Sequence, residues 1–425
     1  MAKQAKEAKK LPFYGGYFLH KPILFVKDVD LVRHILVKDF DHFVNRGSGR
    51  TARLVQNGEL ADRIWAKQLV VATGEEWKNV RSTFTPIFTA GKMEAMIILM
   101  QETCKDLVAG IDEYASSGQD MELKNILGKY SMDTIASCAF GVNAESFSNK
   151  TSNFVAFANK IFESRPIDGL KILMTIIPGG YKRYKLLKAL NISLNKKFET
   201  EFFYQVIIAS LNNRRQTKSR RNDIIDMMLY AIKGDDVDIN MNENEEQFEK
   251  VYSEICIYFI ITQHRLIFQD AKLNHPSNKK TFDEIVVVAT AIVFLVAGYD
   301  TTAATLAFAL YQLAKNPEVQ EKLRTEIQEV TNGDLEKNLC YDDLQTMTYL
   351  DQVINETLRL HNPVGALNGT TTKDYMMPET DLIIPKGLGV WINVMAIHFD
   401  ENHYANPHDF DPDHFSKDAK AKRIP

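Results

Sequence analysis

Polar side chains interrupt one long apolar run of the sequence at residues 297–302, which read Ala-Gly-Tyr-Asp-Thr-Thr. The run is apolar on nearly every side, as expected of a helix buried in the middle of a large protein. In such a helix Gly298 costs about 1 kcal/mol relative to alanine, and a buried, unpaired Asp300 costs more. A functional kink or a ligand cavity would compensate for these costs. A helix bend with a hydrogen-bonded aspartate is the alternative.

Two pairs of residues have the spacing of neighbours on one helix face. Glu356 and Arg359 are three apart and able to form an ion pair, and Trp77 and Arg81 are four apart just after a predicted helix start. Each pair also has an ordinary explanation, because most such ion pairs are solvated and a tryptophan often belongs to the core. Neither pair alone therefore indicates a function.

Together and in order, these motifs resemble those of the cytochrome P450 haem-thiolate monooxygenases. The motifs are Trp77 with Arg81, residues 297–302, Glu356 with Arg359, and residues 410–415 (FDPDHF). Residues 17–22 and 396–400 are similar to the microsomal insect members that oxidise xenobiotics and endogenous lipids. The resemblance covers most of the chain. It implies a mainly helical fold with a small β region, and insertion of one oxygen atom from dioxygen into a hydrophobic substrate.

The resemblance also implies haem as the cofactor and names residues that bind it. Trp77 and Arg81 would hold a haem propionate, because the indole N–H and the guanidinium are good donors to a carboxylate. Ala297 and Gly298 would belong to the same cofactor-binding set, with Gly298 making room for dioxygen.

Two further groups of residues would act in catalysis and in the fold. Asp300 and Thr301 would relay protons, a general-acid role that needs a carboxyl and a hydroxyl side by side next to a dry pocket. Glu356 and Arg359, with His414 as the third member of their network, would tie their helix to the loop that carries the proximal ligand.

The sequence departs from the family pattern at two positions and at both ends. His414 stands where the family usually has an arginine, and Gly369 stands near the position of an arginine that binds a propionate in the family. No hydrophobic anchor precedes Leu11, and the loop with the cysteine ligand would follow Pro425. We therefore interpret residues 1–425 as a single, truncated cytochrome P450 domain without a metal ligand. A protein of these residues alone is expected to lack thiolate-ligated haem and to be inactive.

Composition excludes several classes of protein. The sequence is 45% hydrophobic and 25% charged, as in average soluble globular proteins, which excludes disorder and collagen. A net charge of −4 offers no global reason for nucleic-acid binding. The cysteines show no metal-binding spacing, so we expect them to be reduced and buried; they are Cys104, Cys138, Cys256 and Cys340.

Helix signals dominate the sequence. Capping-box patterns begin at Thr73 and Thr281, and Asn316 precedes a proline suited to the first turn of a helix. The predicted helices cover 77–88, 283–315, 317–332 and 343–360. Strands are predicted only at 22–26 and 381–394.

Residues 251–269 form an apolar insert between an acidic and a polar loop. We hypothesise that they are a retained in-frame intron; a hydrophobic loop that touches the membrane surface is the alternative. No segment is expected to span a membrane, because the apolar run at 285–298 has about 14 residues and a span needs roughly 20.

The resemblance implies several partners and a location. These are a flavoprotein reductase as electron donor, a hydrophobic small-molecule substrate, and a membrane surface, on the cytoplasmic face of the endoplasmic reticulum. One alternative is a catalytically inactive, truncated or mispredicted product. Another is a helical interaction module with a basic patch for an anionic partner, made of Arg214, Arg215, Lys218, Arg220 and Arg221. Such clusters are more often solvated loops.

Overall fold

The computed structural model describes residues 12–422, with gaps at 19–20, 47–57, 89, 149–151, 164–167, all but a few of 170–192, 220, 222, 234–281, 335–336 and 379. The described chain divides into two compact units. The first contains the described residues up to 46 and from Ala304 onward, and the second contains those between 58 and 303. The interpretation of the chain as one domain stays a prediction. The suspected insert at 251–269 lies outside the described residues.

Helices make up most of the described elements. In chain order they are α1 Val29–Arg33, α2 Leu60–Ala66, α3 Gly74–Phe84, α4 Ala90–Ser117, α5 Leu123–Ile135, α6 Asn153–Phe162, α7 Lys197–Thr217, α8 Ile224–Lys233, α9 Glu284–Lys315, α10 Pro317–Thr331, α11 Tyr341–Thr346, α12 Thr348–Leu360, α13 Val394–His398 and α14 Lys417–Ala421. Short 3-10 or π turns lie at His34–Lys38, Phe40–His42, Thr85–Phe88, Ala136–Phe140 and Pro412–Phe415. The strands are β1 Phe13–Phe18, β2 Lys21–Val26, β3 Ala366–Thr370, β4 Tyr375–Met376, β5 Ile383–Ile384 and β6 Gly389–Asn393. The predicted fold class, mainly helical with a small β region, is confirmed.

The strands of the first unit form a four-stranded sheet in the order β1-β2-β6-β3 and a separate two-stranded sheet of β4 and β5. β2 runs parallel to β6, with Ile23 opposite Gly389, whereas β1 and β3 pair antiparallel with their neighbours. Val26, Phe43 and Ile392 belong to the buried apolar cluster of this unit. The sheet therefore has a core of its own.

Both predicted strand regions contain strands, but the prediction that strands are confined to them is wrong. β2 covers 22–26, and β5 and β6 lie within 381–394. β1 contains two adjacent glycines, β3 contains Asn368 and Gly369, and β4 is two residues long. Glycine and asparagine weaken the local strand pattern, so β1 and β3 depend on pairing with distant strands.

Three predicted helices begin where the sequence indicates, at Gly74, Glu284 and Pro317. Thr73 makes no side-chain capping bond at the start of α3. Thr281, the other predicted cap, lies outside the described residues. α10 ends before Gly333, which has a left-handed φ of 76°. Glycine adopts that conformation without a steric penalty.

The helix predicted over 343–360 is in fact two helices, α11 and α12, separated at Met347. The ψ angle of Met347 is 75°, outside the helical range. The Glu326 carboxylate of α10 accepts hydrogen bonds from the backbone N–H groups of Tyr349, at 2.7 Å, and Leu350, at 2.8 Å. A side chain distant in sequence therefore caps α12, which the local pattern could not reveal.

α9 is the buried helix of the second unit as far as residue 303. Its residues 287–292 are at most 1% exposed. With 32 residues and a mean hydropathy of 1.9 over an 18-residue window, it is the one helix within the described ranges long and apolar enough to cross a membrane. A core helix meets the same criterion, so this is weak evidence for a span.

The cysteines are less uniformly buried than predicted. Cys138 is buried, but Cys104 is only partly buried and Cys340 is exposed. Cys340 lies at the start of α11, where its Sγ accepts a hydrogen bond from the backbone N–H of Asp343 at 3.5 Å. This capping position in a surface turn explains the exposure. Cys256 lies outside the described residues.

Candidate active site

The turn of α9 at 297–302 is held by hydroxyl groups that bind its backbone carbonyls. Thr301 Oγ1 donates to Ala297 O, one turn back along the helix. Ser131 Oγ of α5 contacts two further carbonyl oxygens, Gly298 O at 3.1 Å and Tyr299 O at 2.8 Å. The predicted buried helix with a polar turn is therefore present, and a serine that no motif indicated belongs to it.

Gly298 is required by close packing between α9 and α5. A Cβ atom at this position would lie 2.5 Å from Cδ1 and 3.1 Å from Cγ1 of Ile135. A separation of 2.5 Å is below any carbon–carbon van der Waals contact. Close packing against Ile135 therefore gives one reason for a glycine at this position, and the room for dioxygen that the resemblance implies stays a prediction.

Asp300 forms a half-exposed ion pair on α9, and the dry pocket expected beside it stays a prediction. Its Oδ1 is 2.9 Å from Nζ of Lys124, and the two side chains are 50% and 59% exposed. The hydrogen bond and charge of Asp300 raise the pKa of Lys124. Both side chains line an open cleft of about 460 Å³. Asp300 thus connects the polar turn of α9 to solvent.

Trp77 and Arg81 are both buried on α3, at 8% and 9% exposed. The guanidinium carbon of Arg81 lies 5.5 Å from the centroid of the Trp77 ring. The ordinary explanation of a core tryptophan with a surface arginine is therefore wrong for the arginine. A buried guanidinium next to an indole N–H is a donor set suited to a carboxylate ligand.

Glu356 and Arg359 form a fully buried ion pair, with both side chains 0% exposed. Arg359 Nε and one terminal nitrogen donate to the two Glu356 oxygens, each at 2.7 Å. The remaining donors of the guanidinium reach the carbonyl oxygens of His398 at 2.9 Å, Pro407 at 2.6 Å and Asp409 at 2.9 Å. All five N–H groups of Arg359 are therefore satisfied. The pair fastens α12 to residues 398–411, so the surface-pair alternative is wrong.

His414 closes this network in place of the arginine usual in the family. Its Nδ1 lies 3.1 Å from Glu356 Oε1 and its Nε2 lies 2.8 Å from Ala405 O. Glu356 Oε1 also accepts the backbone N–H of Asp411 at 2.9 Å. The ring of His414 therefore joins the Glu356 carboxylate to the backbone at Ala405.

Gly369 leaves no space for the side chain that the family pattern has near this position. A Cβ atom there would lie 3.0 Å from the backbone oxygen of Phe43 and 3.1 Å from its Cβ. The same backbone oxygen accepts a hydrogen bond from Arg46 at 3.0 Å. Burial lowers the pKa of Arg46 to about 10. Arg46 is a partly buried cation that no sequence motif indicated, because a lone arginine outside any spaced motif gives no signal.

The basic cluster proposed as a patch for an anionic partner is largely consumed by ion pairs. Arg214 is buried and contacts Asp223 at 2.6 Å and Asp226 at 2.8 Å. Arg221 binds Ser137 through its guanidinium, at 3.1 Å, and Arg215 lies 3.5 Å from Glu284. Arg220 lies outside the described residues. Acidic residues within the chain thus pair with Arg214 and Arg215, two of the five charges on which the interaction-module alternative depended.

Comparison with known proteins gives one consistent result. The family model for cytochrome P450 matches residues 2–425. Cytochrome P450 6B2 of Helicoverpa armigera is 32% identical over 97% of this chain and 71% of its own length. Cytochrome P450 6k1 of Blattella germanica is 31% identical over 98% of this chain and 72% of its own length, and cytochrome P450 6a2 of Drosophila melanogaster is 31% identical over 97% and 73%.

The chain belongs to the cytochrome P450 family. The predicted resemblance to insect members is confirmed. Membership defines a haem-dependent monooxygenase, an oxidoreductase that takes electrons from a redox partner and acts on hydrophobic substrates. The inactive-product and interaction-module alternatives are not favoured.

The residues described above fit the cofactor that the family uses. A haem carries two carboxylates, and the second unit presents a buried guanidinium, that of Arg81, beside the Trp77 ring. The donor chemistry therefore suits propionate groups.

Proposed function

We propose that this protein inserts one oxygen atom from dioxygen into a hydrophobic small molecule, with Asp300 and Thr301 supplying protons. When bound, haem supplies the activation of dioxygen. The observation that carries the assignment is the position of Asp300, half exposed to solvent and adjacent to a hydroxyl on an otherwise apolar helix. Asp300 can take a proton from water at its exposed carboxylate. The Thr301 hydroxyl donates to Ala297 O, and a hydroxyl group can both donate and accept hydrogen bonds.

Trp77 and Arg81 are the residues we assign to a haem propionate, and Ala297 and Gly298 to the helix segment that faces the cofactor. The position of the buried Arg81 guanidinium beside the Trp77 ring supports the first assignment, since both side chains are good donors to a carboxylate. The second assignment rests on the family resemblance alone. Glu356, Arg359 and His414 hold the fold of the first unit and make no contact with substrate in this scheme.

Changing Thr301 to alanine is expected to uncouple reductant consumption from product formation in the haem-loaded enzyme. Loss of one positioned proton donor typically costs about 100-fold in the step it assists, so product per reductant should fall while reductant use persists. Thr290→Ala is the matched control. Thr290 Oγ1 makes the same kind of bond to the carbonyl one turn back, Val286 O at 2.8 Å, on the same helix. Unchanged coupling in Thr301→Ala would contradict the proton-supply role.

We also propose that the electron donor is a flavoprotein reductase and that the protein works on the cytoplasmic face of the endoplasmic reticulum membrane. The hairpin of β1 and β2 supports membrane contact. Tyr17 and Phe18 are 77% and 50% exposed on this hairpin, and Lys21 follows them at the start of β2. Aromatic side chains beside a lysine favour the membrane–water interface.

Replacing both Tyr17 and Phe18 by serine is expected to reduce binding to phospholipid vesicles about tenfold. The reason is the loss of two aromatic rings that would be partly buried in the membrane–water interface. Co-sedimentation with vesicles of phosphatidylcholine and phosphatidylserine measures the bound fraction. The control replaces Met376 and Ile383 by serine, since both are exposed, at 65% and 57%, on the two-stranded sheet. Equal loss in both variants would argue against a specific membrane-binding hairpin.

A further inference from the structure

One face of α5 holds three consecutive residues of α9. Lys124, Gly128, Ser131 and Ile135 are spaced by four, three and four residues, which places them on a single helix face. Lys124 pairs with Asp300, Ser131 contacts the carbonyls of Gly298 and Tyr299, and Ile135 packs on Gly298. At Gly128, a Cβ atom would lie 3.4 Å from the Tyr299 hydroxyl. The segment 298–300 is therefore held from one side by one helix.

Ser131 is the one hydroxyl within this face, and it is 2% exposed. Its single O–H is shared between Tyr299 O, at 2.8 Å, and Gly298 O, at 3.1 Å. Thr301 also donates to Ala297 O. Three successive carbonyl groups of α9, those of residues 297–299, therefore accept a hydrogen bond from a hydroxyl group. Hydroxyl groups that bind helix carbonyls tilt the peptide groups and bend the helix at that turn.

We propose that Ser131 is a positioning residue for the reaction. Its hydroxyl fixes the peptide groups of Gly298 and Tyr299. The orientation of these peptide groups determines the direction in which the side chains of Asp300 and Thr301 project from the helix. Asp300 is turned toward Lys124 on the α5 side, and the hydroxyl of Thr301 is turned back toward Ala297. Ser131 itself touches no substrate. The effect on turnover rests on the proposed proton-supply role of Asp300 and Thr301, whereas the effect on the helix turn does not.

The test compares Ser131→Ala with Thr134→Val. Thr134 lies on the same helix, is 8% exposed, and loses a hydroxyl bond to Thr103 of α4 instead of one to α9. Amide hydrogen exchange of residues 298–304 is the first readout. We expect amide exchange there to be about fivefold faster in Ser131→Ala, because the net free energy of one hydrogen bond corresponds to about this factor. We expect no change in Thr134→Val. Product formed per reductant consumed is the second readout, and it should fall only in Ser131→Ala.

The two readouts separate the outcomes. Unchanged amide exchange at residues 298–304 in Ser131→Ala would overturn the proposal. The proposal would also be overturned if exchange in Ser131→Ala were faster but coupling stayed full, while Thr301→Ala did uncouple the enzyme. If exchange is faster in Ser131→Ala and coupling stays full in both Ser131→Ala and Thr301→Ala, the result would support the positioning of the turn and contradict the proton-supply role. If Ser131→Ala does not fold, Ser131→Cys keeps the side-chain volume with a weaker donor, and a smaller increase in exchange is expected.

Discussion

Replacing Glu356 by alanine is expected to cost about 3–5 kcal/mol of folding free energy, because it leaves the buried Arg359 guanidinium without its counter-charge. The pair is 0% exposed, and the carboxylate also binds His414 and the backbone N–H of Asp411. Unfolding by urea, followed by circular dichroism, measures the loss. We expect little folded protein at 37 °C, since domains are commonly only about 5–15 kcal/mol stable.

Glu321 and Arg324 provide a matched control for this experiment. They have the same spacing, three residues apart on a helix, at 3.3 Å, but their side chains are 71% and 57% exposed. Removing Glu321 should change stability by no more than about 0.5 kcal/mol, as for other exposed pairs on helices. Similar losses of folding free energy in Glu356→Ala and Glu321→Ala would show that burial does not determine how much the Glu356–Arg359 pair contributes to stability.

Changing Arg214 to methionine is expected to destabilise the second unit by about 3–5 kcal/mol at neutral pH. The substitution leaves two carboxylates, Asp223 and Asp226, without the cation that both contact while they are 0% and 3% exposed. Arg215→Met is the control. Arg215 is the next residue but is 27% exposed, and its pair with Glu284 is longer, at 3.5 Å. We expect the control to lose less than about 1 kcal/mol.

The pH dependence of the Arg214→Met variant follows from the protonation of Asp223. Burial raises the pKa of Asp223 in the folded protein, so the folded state binds this proton more tightly than the unfolded state does. The stability that protonation of Asp223 contributes is present at low pH and is lost as pH rises through the pKa of Asp223 in the folded protein. Removing Arg214 takes away a group that lowers this pKa. The variant should therefore recover stability as pH falls from neutral, and a pH-independent loss would be inconsistent with buried carboxylates as its cause.

The sequence predicts helix positions well where the signals are local. The boundaries at Pro317 and Gly333 depend on backbone φ angles, which the residue types at those positions largely determine. The break at Met347 depends on the Glu326 carboxylate of another helix. No pattern within α11 and α12 contains that information, which explains why two helices read as one.

The site was predictable only where residue types are spaced along one element. Glu356 with Arg359 and Trp77 with Arg81 are such pairs, although their burial could not be read from spacing. Ser131 carries no such signal, since a serine in a helix ordinarily forms a local bond or faces solvent. Its role depends on the packing of α5 against α9, and this is a tertiary contact across 167 residues.

The close approach at Gly369 has an evolutionary consequence. β3 is joined to the segment before Arg46 by the hydrogen bonds of Thr370 N to Asn45 O, at 2.7 Å, and Thr372 N to His42 O, at 2.8 Å. Any side chain at Gly369 must push the Phe43 backbone aside against these bonds. A larger residue at position 369 is therefore expected to need a small shift of the segment before Arg46. Positions 369 and 43 are thus constrained to change together.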